Sequence, residues 1–287
     1  ALSFVSVPED IIQTRAILRE KNCDIPIIAK IERGQALDNF EGILAASDSV
    51  MVARGDLGVD IPLQRVPMVQ KEIIMKCNQA GKPVITATQM LESMVTAARP
   101  TRAEVTDVAN AIFDGTDAVM LSAETSIGKY PVEAVRMMSQ VALEAEIRLP
   151  YEKLLAERST WLEPQTDELI SYNACYTASR LGAVAIIAFT QSGSTAQRVS
   201  KYRPRVPILA TTPSKRASGR LMLCWGVQSV QTVQTSESSS IGELFAAAAR
   251  LAKDLRLAKS GDLIVITGGI PIGRHGTTNL LKVEKVT

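Results

Sequence analysis

The chain has 287 residues, 46% of them hydrophobic and 22% charged, which is a globular composition of about two domains' length and excludes wholesale disorder. Its 32 basic and 30 acidic side chains leave a net charge of +2, too small an excess for a broad nucleic-acid surface, so no nucleic-acid partner is expected. The longest strongly apolar run, residues 183–189, is far short of the ~20 residues that span a bilayer, and no membrane partner is expected either.

Cys23, Cys77, Cys175 and Cys224 show no C-x-x-C spacing, so reduced thiols in a cytoplasmic protein are expected rather than a structural zinc. The single histidine, His275, lies in a Gly-rich segment. Any histidine-based triad or multi-histidine metal site would have to use it. The opening Ala-Leu-Ser-Phe-Val-Ser-Val has neither a basic leader nor a cleavage pattern. It reads as a strand entered at once, so the chain is expected to begin inside a domain.

Along residues 1–149 an apolar run and a helical segment alternate with a period of about 30 residues. Strands are expected near residues 2–5, 25–31, 49–53, 83–87 and 118–121. Helices are expected near 8–21, 35–45, 63–80, 102–114 and 131–147. Pro8 with Glu9 and Asp10, Thr101 with Glu104, and Pro131 with Glu133 mark helix starts. Apolar, β-branched strands between helices predict a parallel sheet covered on both faces, either open and doubly wound or closed as a (β/α)8 TIM barrel. Residues 150–168, with Pro150, Trp161 and Pro164, break the rhythm and read as a linker. A smaller α/β domain is expected over 169–287. Its helices fall near 169–181, 195–202 and 241–257, and its strands near 183–189, 206–210, 262–267 and 279–286.

The strand ends carry the polar chemistry. In Ile28-Ala29-Lys30-Ile31-Glu32, strand alternation puts Lys30 and Glu32 on one side. They would either form a plain salt bridge at a strand edge or project into a barrel mouth. Met51-Val52-Ala53-Arg54-Gly55-Asp56-Leu57-Gly58 follows the next strand. Gly55 lets a backbone N–H approach an anion and Asp56 offers a hard oxygen, although Gly-Asp is also ordinary turn chemistry. Thr86 and Thr88 flank Ala87, and Ser122 and Glu124 flank Ala123. Each alone reads as a helix cap or loop hydrogen bond. Four consecutive units ending in Lys/Glu, Asp, Thr and Ser/Glu point instead to a divalent cation beside an anionic substrate. Two carboxylates with few ligands left over suit Mg2+ or Mn2+, which keep water and substrate oxygens in their shells.

The runs IIAKIE, MVARGDLGV, GKPVITATQMLESM, RPTRAEVTDVANAIFDGTDAVMLSAET and YPVEAV closely resemble pyruvate kinases, and the similarity extends into the second domain. The resemblance implies Mg2+-dependent phosphoryl transfer from phosphoenolpyruvate to ADP, giving pyruvate and ATP in glycolysis. It implies that Glu32 and Asp56 hold the cation and that Lys30 faces the transferring phosphoryl group and the enolate oxygen. Gly55 matches the residue whose N–H meets the substrate carboxylate, and Thr88 the threonine implicated in protonating the enol. Ser122 and Glu124 match a supporting polar network. In this family the barrel has eight strands, with a lid domain inserted after the third, and residues 2–5 match the fourth strand. The family's phosphate-holding arginine and its K+ ligands therefore belong to the part before this match, and the segment is expected to be inactive alone. Ala123 stands where many members have Gly. The helix opened by Thr101-Arg102-Ala103-Glu104 matches one used between subunits, which implies a homo-oligomer, a tetramer of dimeric pairs.

In the second domain Thr190-Gln191-Ser192-Gly193-Ser194-Thr195 follows a strand and opens a helix. By residue type it is either a Ser-rich helix cap or a phosphate cradle. The resemblance assigns it to an effector site for a phosphorylated sugar or nucleotide, closed by the loop that carries Arg274 and His275. Two alternatives remain at the level of sequence. One is an aldolase-like metal-enolate barrel. The other is a non-catalytic module that binds phosphorylated metabolites or kinase subunits.

Overall fold

The computed structural model describes residues 1–231, 241–270 and 278–287. They divide into two units, Ala1–Leu149 and Pro150–Thr287.

In the first unit the chain runs α1 (Pro8–Glu20), β1 (Ile28–Ile31), α2 (Gly34–Asp38), α3 (Phe40–Ala46), β2 (Ser49–Ala53), α4 (Arg54–Asp60), α5 (Val66–Gln79), β3 (Val84–Ala87), α6 (Arg102–Asp114), β4 (Ala118–Met120), α7 (Ala123–Ser126) and α8 (Pro131–Ile147). Sequence signals set several of these boundaries. Pro8 occupies the first turn of α1, where the Asp10 carboxylate takes the free N–H groups of Ser6 and Val7 at 2.8 and 3.1 Å. Thr101 and Glu104 form a reciprocal capping box at the start of α6, and Gly115 ends that helix at φ +96°.

The four strands make one parallel sheet in the order β1-β2-β3-β4. All of β2 and β3 is buried, whereas β4, on the edge, is half-buried throughout. Ile31, Val50, Val52 and Val84 pack with Ile43 of α3 and Ile73 and Ile74 of α5. Each such side chain contributes about 1.5–3 kcal/mol on burial.

One expected strand is cut short. Of residues 2–5 only Leu2 pairs, through a single parallel bridge to Ala29. Phe4 takes φ +59°, which turns the chain away from the sheet. The N–H and hydroxyl groups thereby released serve Glu32 and Lys30, as described below. The helix expected over 35–45 is broken at Asn39 into α2 and α3, and that over 63–80 starts as a short 3-10 turn before α5.

The second unit contains α9 (Tyr151–Arg158), α10 (Thr166–Leu181), β5 (Ala185–Phe189), α11 (Ser194–Lys201), β6 (Ile208–Thr212), α12 (Lys215–Leu221), β7 (Val227–Gln231), α13 (Ile241–Asp254), β8 (Leu263–Gly268) and β9 (Leu280–Lys285). Its sheet order is β7-β6-β5-β8-β9, parallel except for β9. β5 lies between β6 and β8, so the order in which strands are added reverses there, and the crevice at the end of β5 is where such sheets take ligands. α9 lies within the segment read as a linker, and its Leu155 joins the core with Ala174, Ile186 and Tyr202. The hydroxyl of the fully buried Tyr202 donates to Glu168, which also pairs with Lys201 at 2.9 Å. Burial and that carboxylate push the Tyr202 phenol well up, so it stays protonated.

Candidate active site

The parallel register sets the C-terminal ends of β1 to β4 side by side. Ile31 lies opposite Val52, Ala53 opposite Ala87, and Ala87 opposite Met120. Glu32, Arg54, Thr88 and Leu121 are thus the first residues beyond four neighbouring strands.

Lys30 and Glu32 share a side, as period-two alternation requires. Their side chains meet at 2.5 Å, with Glu32 almost wholly buried and Lys30 partly open. The truncated first strand completes the pair. Ser3 Oγ accepts from Lys30 Nζ at 2.8 Å, and the Phe4 N–H donates to the second Glu32 oxygen at 2.6 Å. A buried carboxylate needs such partners, because an unpaired one costs several kcal/mol. Arg33 stacks over the Phe4 ring at 5.2 Å.

Gly55 and Asp56 lie in the first turn of α4, so the Arg-Gly-Asp triplet is helical rather than a free turn. The Gly55 N–H donates to Thr88 Oγ1 at 2.8 Å, and that hydroxyl donates to the Ala87 carbonyl at 2.6 Å. Thr88 and Gln89 both have left-handed backbones, at φ +69° and +54°. Thr86, by contrast, is buried and bonded to Thr116 at 3.0 Å, a structural tie between loop and strand. The Asp56 carboxylate is exposed, and no hydrogen bond or ion pair joins it to Glu32 or to any other described residue.

Beyond β4, Glu124 is fully buried. Its two oxygens accept from the Leu91 N–H at 3.0 Å and the Ser122 N–H at 2.7 Å, fastening the β3 and β4 loops together. The structure therefore brings six of the expected residues into three bonded pairs, Lys30 with Glu32, Gly55 with Thr88, and Ser122 with Glu124, and leaves Asp56 outside them. Two contributors had no role assigned from sequence. The first is the Ser3–Phe4 turn, hidden inside an apparent strand. The second is Arg54, whose guanidinium reaches the Thr88 carbonyl at 2.7 Å and Asp107 at 2.7 Å. A charged residue directly after a buried strand was the available signal.

Among the described residues no three His, Cys, Asp or Glu side chains gather into a metal cage. Glu32 and Asp56 offer two hard carboxylates at adjacent strand ends. That donor set fits Mg2+ or Mn2+ completed by water and substrate oxygens, and does not fit zinc. Cys77 and Cys175 are buried free thiols whose pKa burial pushes up, so they are poor ligands and nucleophiles.

In the second unit the 190–195 loop sits at the end of β5. Thr190 Oγ1 accepts from the Gly193 N–H at 2.9 Å, and Gly193 turns left-handed at φ +96°. Thr195 and Thr278 share a hydrogen bond at 2.8 Å, so the chain following the 271–277 segment returns to this loop. The Gln191 carbonyl accepts from Thr212 at 3.2 Å, and Ser192 bonds Ser194 at 3.2 Å on the open side. Arg274 and His275 lie outside the described residues.

Residues 1–135 match the family model described as pyruvate kinase, barrel domain, and residues 168–284 match pyruvate kinase, alpha/beta domain. The chain belongs to the pyruvate kinase family. It is 49% identical over 285 residues to a pyruvate kinase of Clostridium acetobutylicum, covering 99% of this chain and 60% of that protein. It is also 49% identical to one of Staphylococcus epidermidis, covering 100% of this chain and 48% of that protein. A crystal structure of a Cryptosporidium parvum pyruvate kinase superposes with a TM-score of 0.93 at 40% identity, covering 100% of this chain and 58% of that chain. The chain thus spans about half to three fifths of the length of these relatives. Its fold is that of part of a pyruvate kinase TIM barrel followed by the family's α/β domain. No helix among the described residues is long and apolar enough to cross a membrane.

Proposed function

We propose that this chain carries the cation and enolate half of a pyruvate kinase active site. The reaction is transfer of the phosphoryl group of phosphoenolpyruvate to ADP, the glycolytic step that makes ATP. The single observation behind it is the Lys30–Glu32 pair, its carboxylate buried and its ammonium partly open, set beside the Gly55–Thr88 contact at adjacent strand ends. In the reaction the C2–oxygen–phosphorus bridge breaks at phosphorus. An ADP oxygen forms the new bond to phosphorus, and the electron pair stays on the substrate as an enolate. Carbon 3 then takes a proton and pyruvate leaves.

Phosphoryl transfer rests on positioning and charge neutralisation. Lys30, fixed by Ser3 and Glu32, presents its ammonium to the transferring group and to the enolate oxygen. A Mg2+ or Mn2+ held by Glu32 and Asp56 would neutralise substrate charge. The family's K+ would complete the set, with ligands outside the residues described here. The Gly55 N–H, now on Thr88 Oγ1, is the donor a substrate carboxylate would recruit. A Cβ at position 55 would lie 3.5 Å from Thr88 Oγ1, an ordinary contact. Packing therefore does not require glycine there, and on this reading the open space beside the Gly55 N–H is left to the substrate carboxylate. The Thr88 hydroxyl relays the proton, and Ser122 and Glu124 hold the neighbouring loops.

The same reading makes the 190–195 loop an effector site for a phosphorylated sugar or nucleotide. It makes the exposed start of α6, at Thr101, Arg102 and Ala103, a contact in a cytoplasmic homotetramer. The test is a coupled assay of pyruvate formation from phosphoenolpyruvate, ADP and Mg2+, on this chain and on the full product of its gene. Lys30→Met in the full product should lose more than about 100-fold in kcat. An unchanged kcat refutes the assignment of Lys30.

A further inference from the structure

The Thr88 turn is conformationally expensive. Thr88 and Gln89 are consecutive non-glycine residues in the left-handed region, at a cost of about 1–2 kcal/mol each. A β-branched threonine is especially disfavoured there. Such a turn persists only when its surroundings hold it.

Arg54 makes most of the contacts that do so. Nη2 donates to the Thr88 carbonyl at 2.7 Å and reaches Met90 Sδ at 2.8 Å. Nε is shared between the Ala87 and Thr88 carbonyls, both at 3.3 Å. On the far edge Nη1 pairs with Asp107 of α6 at 2.7 Å and touches Gln70 of α5 at 3.4 Å. Gln70 in turn donates to Asp114 at 3.1 Å, and Lys71 pairs with the same carboxylate. Only 12% of the Arg54 side chain is exposed. The next residue, Gly55, fixes the Thr88 hydroxyl. One dipeptide therefore holds both the carbonyl and the hydroxyl of Thr88, with the load carried to two helices.

We propose that Arg54 is a positioning residue: its guanidinium, braced by Asp107 and Gln70, locks the left-handed Thr88 turn so that the Thr88 hydroxyl faces the enolate carbon. The proposal rests on the assignment of Thr88 to proton delivery given above. A planar fork with separated donors is required, since it bonds the turn on one edge and α5 and α6 on the other. A lysine offers one point charge and cannot span both.

The test uses the proton step alone, in the full gene product with Mg2+. In D2O, bound pyruvate loses a C3 proton to the site and thence to solvent, its electron pair delocalises as the enolate, and a deuteron returns to C3. Methyl exchange followed by NMR reads this step without phosphoryl transfer. Misplacing a reacting group by about 1 Å costs about 100-fold. Arg54→Gln should slow exchange by about that factor, while Mn2+ affinity, measured directly, stays within about threefold because Glu32 and Asp56 are untouched. Arg54→Lys should not rescue exchange, and Asp107→Asn should slow it about tenfold, the loss of one charge-assisted bond.

A folded Arg54→Gln protein with normal exchange overturns the proposal. So does full rescue by lysine, or loss of exchange and Mn2+ affinity by one common factor. If Arg54→Gln does not fold, Asp107→Asn decides, and unchanged exchange there overturns it. Thr88→Val separates the two claims. If Thr88→Val leaves exchange intact, the assignment of Thr88 is wrong and the proposal falls with it. If Thr88→Val slows exchange and Arg54→Gln does not, only the positioning role is wrong.

Discussion

Glu124 offers a quantitative test of how the candidate site is held. Its buried carboxylate accepts from two backbone N–H groups, of Leu91 and of Ser122, one on each of two neighbouring loops. Glu124→Gln keeps the shape of the side chain but supplies one acceptor and one donor. Only one of the two N–H groups can then be served, and the other faces an NH2 group. Leaving a buried donor unsatisfied costs about 1–3 kcal/mol. The surviving bond falls from charge-assisted to neutral, which loses about another 1 kcal/mol. The sum, about 2–4 kcal/mol, corresponds to a rise of about 30-fold or more in local opening, at tenfold per 1.4 kcal/mol. Native-state amide hydrogen exchange by NMR reads it residue by residue. One of the two amides, Leu91 or Ser122, should exchange at least about 30-fold faster, while buried strand amides such as that of Val52 stay unchanged. If both amides keep their protection within about threefold, the carboxylate does not fasten the two loops and the reasoning fails.

Two further outcomes follow from the same structure. Burial pushes the Glu104 carboxyl up, but hydrogen bonds from the side chain and N–H of Ser93 and of Thr101 outweigh this and hold it below its ordinary value. Its contribution to stability is therefore present above the ordinary carboxylate pKa and is lost as pH falls through the depressed folded value. Urea midpoints of the wild type and of Glu104→Gln should differ near neutral pH and converge in acid, and a gap that persists unchanged into acid contradicts this. In the second unit, replacing Thr190, Ser192 and Thr195 together by Ala in the full gene product should abolish any activation by a phosphorylated sugar or nucleotide and spare basal turnover. Lost basal turnover with activation retained would make the loop structural only.

How much of this was legible in sequence depended on the kind of constraint. The Lys30–Glu32 pair follows from strand alternation alone, and the α6 cap follows from Thr101 and Glu104, because both are local rules. The truncated first strand was not legible. Ser3-Phe4-Val5 is β-prone, and what turns Phe4 to a positive φ is the demand of Glu32 for a backbone donor 28 residues away. The Thr88 turn was hidden for the same reason: threonine does not signal a left-handed backbone, and Arg54, which holds it, acts across 34 residues. In the second unit α12 and β7 gave weak patterns. The helix is short and contains Gly219, and in the edge strand Val227–Gln231 the two apolar residues, Val227 and Val230, are three apart, which breaks the period of two. The Arg-Gly-Asp triplet was visible, but Gly-Asp is ordinary turn chemistry by residue type and gives no sign of the helix Arg54–Asp60 that the triplet opens.

The central claim is that Glu32 and Asp56, at the ends of adjacent strands, hold one divalent cation in common with phosphoenolpyruvate. The direct measurement is Mn2+ binding followed by electron paramagnetic resonance, on the full gene product and on its Glu32→Gln and Asp56→Asn variants, with and without phosphoenolpyruvate. Each substitution should weaken Mn2+ binding by about tenfold or more. Phosphoenolpyruvate should tighten it in the wild type, and Mn2+ should tighten phosphoenolpyruvate by the same factor. Wild-type Mn2+ affinity and full tightening by phosphoenolpyruvate in both variants would place the cation elsewhere and contradict the account.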